Sequence, residues 1–126
     1  MEKQLIHTDL APQAIGPYVQ AVKLGDMVFT SGQLGIDVEK GGLAEGIEAQ
    51  THAAMKNLGA ILRESGSDYA KVLKSTIFVT DLNDFAAVNQ IYASYFEGAY
   101  PARSCVQVAK LPLGGLVEIE CVASIS

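Results

Sequence analysis

The chain reads as an α+β domain, a mixed six-stranded sheet with two helices on one face. Three observations predict it. Apolar and β-branched runs bounded by Gly, Pro and Asp mark strands toward both ends. Two internal stretches switch to helical spacing, giving the order strands, helix, strand, helix, strands. The last strand presents Val117, Ile119, Cys121 and Ala123 on one face, suited to lie beneath both helices.

The elements follow in order. Gln4–Thr8 is a short first strand, and the Ala11–Pro17 segment, with two prolines and Gly16, is a loop. Tyr18–Leu24 and Met27–Ser31 are strands joined by the tight turn Gly25-Asp26. Gly32 to Gly46 is glycine-rich and reads as irregular. Ile47, Thr51, Ala54, Leu58, Ile61 and Leu62 then form one helical stripe, with Gly66 placed to cap its C-terminus. Val72–Thr80 is a buried strand. Asn83 is expected as the N-cap of a second helix, whose stripe is Phe85, Val88, Tyr92, Tyr95 and Phe96. Arg103–Ala109 and Leu116–Ala123 complete the sheet. No repeat or linker divides residues 1–126, which read as a single domain.

Composition narrows the function. At 49% apolar and 18% charged residues, the chain is globular and long enough to bury a core. A net charge of −5 without any Lys/Arg run argues against nucleic acid as the main partner, because phosphate binding needs a basic footprint. The N-terminal residues lack the apolar stretch of a signal peptide, and no apolar run approaches the ~20 residues that cross a bilayer. Cys105 and Cys121 have neither metal-ligand nor disulfide-scaffold spacing. These features place a soluble protein with free thiols in the cytoplasm, away from membranes.

The segment Tyr100-Pro101-Ala102-Arg103-Ser104-Cys105-Val106-Gln107-Val108 stands out. Strand alternation sends Arg103, Cys105 and Gln107 to one face. The guanidinium fork fits a carboxylate bidentately, so a small acid is a natural ligand; a solvated arginine at a sheet edge is the alternative. On the final strand Glu118, Glu120 and Val122 share the face away from the helices. Arg103 and Gln107 are expected on that same face, making it polar and suited to meet another subunit.

Five blocks carry a resemblance to a known family: Ile15-Gly16-Pro17-Tyr18-Val19-Gln20-Ala21; Phe29-Thr30-Ser31-Gly32-Gln33; Thr80-Asp81-Leu82-Asn83-Asp84-Phe85 with Asn89; Pro101-Ala102-Arg103-Ser104-Cys105-Val106; and Leu111-Pro112 with Val117-Glu118-Ile119-Glu120. In this order and over nearly the whole chain they resemble the RidA/YjgF family. The resemblance implies a fold like that of the bacterial monofunctional chorismate mutases, with the final strand inserted between earlier ones. It also implies a homotrimer with ligand clefts between subunits. The activity it implies is hydrolysis of 2-aminoacrylate and 2-iminobutanoate to 2-keto acids and ammonia, with no cofactor.

The residues can be fitted to that chemistry. Arg103 would clamp the carboxylate of the imino acid through charge-assisted hydrogen bonds of ~1.5–3 kcal/mol each. Backbone N–H groups near Gly32 and Cys105 could bind the same end. No Ser/His pair and no metal constellation is present. His7 and His52 read as structural or surface residues, so Glu118 is the best general base for water, with Glu120 its rival. The family match favours Glu118. Tyr18, Ser31, Gly32, Asn89 and Cys105 match the family's cleft positions, and each also has an ordinary structural reading. Cys105 lacks a neighbour to lower its pKa and reads as a pocket wall rather than a nucleophile. One other function fits the same residues, a trimeric binder or sensor of 2-keto acids without turnover. The RNA cleavage attributed to some relatives is opposed by the acidic charge and the absence of a His-based acid/base pair.

Overall fold

The computed structural model describes all 126 residues, Met1–Ser126. Its elements in chain order are β1 (Gln4–Ile6), β2 (Ala21–Leu24), β3 (Met27–Thr30), β4 (Gln33–Leu34), β5 (Ile36–Asp37), β6 (Gly42–Leu43), α1 (Gly46–Glu64), β7 (Val72–Val79), α2 (Phe85–Ala93), β8 (Ala102–Gln107) and β9 (Val117–Ser124). Strands pair in the order β1-β2-β3-β9-β7-β8, and β4 also pairs with β9, giving a seven-stranded sheet. The β7–β8 pair is parallel, with α2 as its crossover, and the other pairs are antiparallel. The final strand thus lies between earlier ones rather than forming a hairpin with β8.

The expected mixed sheet with both helices on one face is what forms. Alternation along β9 buries Val117, Ile119, Cys121 and Ala123 and leaves Glu118, Glu120, Val122 and Ser124 half-exposed. The buried face meets Ala54, Met55, Leu58 and Leu62 of α1, Val88 and Tyr92 of α2, and Ile77 and Val79 of β7 in one cluster. Each fully buried aliphatic side chain there contributes roughly 1.5–3 kcal/mol, so the register of β9 is strongly specified. At the end of α1, Ser67 N–H donates to Leu62 O (2.8 Å) and Gly66 N–H to Arg63 O (3.1 Å), the paired bonds of a glycine-terminated helix.

Four expectations need correction. β2 begins at Ala21, not Tyr18, because Gln20 folds back: its Nε2 donates to Pro12 O (2.8 Å) and its Oε1 accepts from Thr8 N–H (2.7 Å), drawing the chain against residues 8–12. The Gly32–Gly46 stretch contains β4 and the β5–β6 hairpin, whose two-residue strands are too short for alternation to reveal. Asn83 is not the cap of α2; Asp81 accepts from Asn83 N–H (2.9 Å) and starts a short 3₁₀ turn before Phe85. Helix α2 stops at Ala93, while Tyr95 and Phe96 still pack against the core from the following turn.

Two buried polar residues of α1 hold the β4–β6 segment. Asn57 Nδ2 donates to Ile36 O (2.9 Å), and Gln50 bridges Ala44 O (3.0 Å) and Leu116 N–H (2.9 Å). This tie requires close approach at Gly35, where a Cβ would lie 2.4 Å from Gln50 Cβ and 2.5 Å from its Cα. Helix backbone cannot yield as a side-chain tip can. Gly35→Ala is therefore expected to destabilise the fold by about 1–3 kcal/mol, an overpacking cost. Urea denaturation of the two proteins measures it, and an unchanged midpoint would contradict the packing described.

Candidate active site

Strands β3 and β4 run along the same edge of β9, and the break between them at Ser31-Gly32 builds the first half of the site. Across the break, Cys121 N–H donates to Thr30 Oγ1 (3.0 Å) in place of a ladder bond. Ser31 N–H donates to Gln20 O (2.9 Å) and its hydroxyl to Val19 O, which fixes the loop carrying Tyr18. The cavity beside this break measures about 680 Å³ and is lined by Tyr18, Ser31, Gly32 and Glu118, with Ile15 and Leu113 among its apolar walls. Gly32 sits directly against Glu118, since a Cβ there would lie 2.8 Å from the Glu118 Cδ. Burial, and secondarily the charge of Glu120, push the Glu118 carboxyl above the usual range. The result is a carboxylate with increased basicity, facing an apolar-walled space.

Arg103 builds the second half. Its Nη1 donates to Asn89 Oδ1, and its Cζ lies 5.3 Å from the centre of the Tyr92 ring and 5.5 Å from that of Phe85. Phe85, Asn89 and Tyr92 recur at helical spacing, so α2 presents them on one face. Arg103 is half-buried, yet no carboxylate of the chain lies within 4.0 Å; the ion pairs are His7–Asp9 and Arg63–Asp68. Cys105 follows on the same face of β8 and packs against the core. Burial raises its thiol pKa, with Arg103 opposing, so it lacks the thiolate character of a nucleophile.

The register corrects one expectation about faces. Arg103, Cys105 and Gln107 do share a face, paired with Ser75, Ile77 and Val79. Those residues pair in turn with Cys121, Ile119 and Val117, the buried side of β9. Glu118 and Glu120 pair with Phe78 and Thr76 on the opposite side. Arg103 therefore belongs to the helix face and Glu118 to the open face. Tyr18, Ser31, Gly32 and Glu118 come together; Asn89, Arg103 and Cys105 come together; the two groups do not meet within one chain. Gln107 is structural, accepting from Leu82 N–H (2.9 Å) ahead of α2.

A family model described as "Endoribonuclease L-PSP" matches residues 8–125. The chain belongs to this family, the RidA/YjgF family. It is 49% identical over 126 residues to Reactive Intermediate Deaminase A, chloroplastic, of Arabidopsis thaliana, covering 99% of this chain and 67% of that protein. It is 48% identical over 121 residues to 2-iminobutanoate/2-iminopropanoate deaminase of Salmonella typhimurium, covering 94% of each. The crystal structure of Escherichia coli TdcF with bound serine superposes with a TM-score of 0.94 at 44% identity, covering 98% of this chain and 99% of that one. The fold of this RidA/YjgF chain is thus that of its relatives.

Nothing in the residue pattern alone marks Gln20, Gln50, Asn57, Phe85 or Tyr92 for a part in shaping the site. The helical stripe marked Phe85 and Tyr92 as core residues, and spacing alone does not show that their rings flank Arg103. Gly32→Ala is expected to press on the free end of Glu118, displacing its carboxyl toward solvent while leaving the thermal midpoint nearly unchanged. A ¹³C NMR titration would then show the Glu118 pKa falling back toward the ordinary glutamate range. An unmoved pKa would mean that Gly32 does not set the position of this carboxyl.

Proposed function

We propose that this chain is an imine deaminase converting 2-aminoacrylate and 2-iminobutanoate to 2-keto acids and ammonia, at clefts shared between copies of a homotrimer. The observation that carries the reading is Arg103: a half-buried arginine whose guanidinium is pre-oriented by Asn89 and two rings, with no carboxylate partner in its own chain. Such a group suits a small anionic ligand. The deaminase activities that relatives at 48–49% identity are named for support the same chemistry.

Each cleft joins the Arg103 half of one copy to the Glu118 half of the next. The open sheet face favours association, because Leu5, Val22, Phe29 and Val122 are aligned in register across β1, β2, β3 and β9. Leu5 and Phe29 in that row are 61% and 46% exposed. An apolar row of this kind on a sheet marks an interaction surface. The free thiols of Cys105 and Cys121 accord with a reducing compartment such as the cytoplasm.

In the reaction, Arg103 holds the substrate carboxylate, while the backbone near Gly32 and Cys105 lines the same end. Tyr18 and Ser31 border the cavity around the imine. The substrate reacts as the iminium, which 2-aminoacrylate reaches by taking a proton from solvent onto its terminal carbon. Glu118 accepts a proton from water as the water oxygen bonds to the iminium carbon and the C=N π pair moves to nitrogen, giving a neutral carbinolamine. Glu118 returns its proton to the nitrogen. The C–N bond breaks, ammonia leaves with the bonding pair, and the hydroxyl proton passes to the Glu118 carboxylate and on to solvent as the keto group forms. The upward shift of Glu118, caused first by burial, makes its carboxylate a stronger base.

The family description raises the alternative of RNA cleavage. Neither histidine lines the cavity that holds Glu118: His7 pairs with Asp9 (3.0 Å) and His52 with Tyr95 (2.8 Å). The charge of −5 also opposes phosphate binding.

Ammonia release from imine generated by a dehydratase tests the proposal, and wild type that binds 2-oxobutanoate without releasing ammonia would identify a binder instead. Arg103→Lys keeps charge but loses the fork, so kcat/KM should fall by roughly tenfold or more. Glu118→Gln should lower kcat by ~10² or more while ligand binding persists, with Glu120→Gln milder. Wild-type activity should decline as pH falls through the raised Glu118 pKa, because protonation removes the base, and Glu118→Gln should flatten that acid limb. Near-wild-type kcat in Glu118→Gln would end the general-base assignment.

A further inference from the structure

We propose that Tyr92, anchored by Ser75, is the positioning residue that sets the plane of the Arg103 guanidinium and thereby the affinity for the substrate carboxylate. The inference rests on the reading of Arg103 as a carboxylate clamp, and assigns work to two residues that do not touch the ligand.

A guanidinium on a long, flexible stem binds a carboxylate well only when its plane is held, because ordering four torsions at the moment of binding subtracts from affinity. In this chain three constraints act on that plane. Asn89 Oδ1 accepts from Nη1, which fixes one edge of the fork and leaves Nε and Nη2 without an acceptor in the chain. Phe85 and Tyr92 place ring centres 5.5 and 5.3 Å from Cζ, within reach of a cation–π attraction. The two rings differ in how firmly they are held. Phe85 is 39% exposed at the start of α2, whereas Tyr92 is 4% exposed and packed within the main core cluster.

Tyr92 also has a polar anchor. Its hydroxyl donates to Ser75 Oγ (2.9 Å), and Ser75 on β7 is the register partner of Arg103 on β8. Strand pairing, hydroxyl bond and ring contact therefore close a loop: Ser75 positions Tyr92, Tyr92 faces Arg103, and Arg103 sits on the strand paired to Ser75. The Tyr92 ring centre also lies 4.8 Å from that of Phe96, a packing contact that restricts its tilt. A tyrosine is needed for this geometry, since phenylalanine supplies the ring without the anchor and leucine supplies bulk without the π face.

The test is calorimetric binding of 2-oxobutanoate to the full chain, with thermal midpoints and steady-state kinetics alongside, on Tyr92→Phe, Ser75→Ala, the double variant and Tyr92→Leu. Tyr92→Phe and Ser75→Ala should each weaken binding by about three- to tenfold, an effect of one net hydrogen bond. The double variant should be no worse than either single, because both remove the same contact. Tyr92→Leu should lose about tenfold or more, as the cation–π contact goes too. KM should rise more than kcat falls in all four. Wild-type affinity in both Tyr92→Phe and Ser75→Ala, or additive losses in the double variant, would overturn the proposal even if Tyr92→Leu fails to fold. Arg103→Ala separates this failure from that of the underlying reading: if it binds 2-oxobutanoate as wild type does, the clamp itself is wrong. If it does not bind while Tyr92→Phe and Ser75→Ala bind normally, only the positioning role is wrong.

Discussion

Alternation along the β-strand is the constraint on which the rest of this structure depends. Neighbouring residues of β9 point to opposite faces, so burying Val117, Ile119 and Cys121 under the helices obliges Glu118 and Glu120 to face the other way. The same rule, carried across β7 into β8, puts Arg103 on the helix side with Ser75 and Cys121. A slip of one residue in β9 would expose its whole apolar set, a cost no single polar contact could offset. The proposed carboxylate clamp and the proposed base are thus held on separate faces of a sheet. The two groups do not meet within one copy, which is the physical basis for proposing a shared cleft.

Around that frame, buried amides rather than further hydrophobic contacts position the loops. Gln20 ties the Tyr18 loop to residues 8–12, Gln50 ties Ala44 and Leu116 to α1, and Asn57 holds the carbonyl of Ile36. All three are at most 5% exposed, and the chain contains no buried side-chain nitrogen or oxygen without a partner. Fully satisfied networks of this kind specify one arrangement, since breaking any bond strands a buried polar group at ~1–3 kcal/mol. The walls of the cavity beside Glu118 are therefore built to keep their shape.

Much of this was legible in the chain itself. The eight-residue runs of β7 and β9 and the stripe from Ile47 to Leu62 show their period clearly, and they locate the core and the helix face. The grouping of Arg103 with Cys105 also follows from period alone. The face on which that group falls does not, because pairing register is a relation between strands distant in sequence. The parallel match of Arg103 with Ser75 has no local signature. Strands β4 to β6 are too short to show alternation. Gln20, Gln50 and Asn57 look like surface residues by type, and only their backbone partners explain their burial. Asp81 outcompetes Asn83 as a cap because its carboxylate reaches the Asn83 N–H directly. The family blocks picked out both halves of the site, but a motif carries no information on which copy supplies each residue.

A working cleft, as proposed, takes Arg103 from one copy and Glu118 from another. Co-refolding Arg103→Ala chains with Glu118→Gln chains tests it directly, since each variant alone lacks one essential group. With random assembly into a closed ring, about a quarter of the clefts regain both wild-type groups, so imine hydrolysis should return to roughly a quarter of the wild-type rate per cleft. Mixed oligomers that form, as verified by native mass spectrometry, yet remain as inactive as either parent would contradict the account.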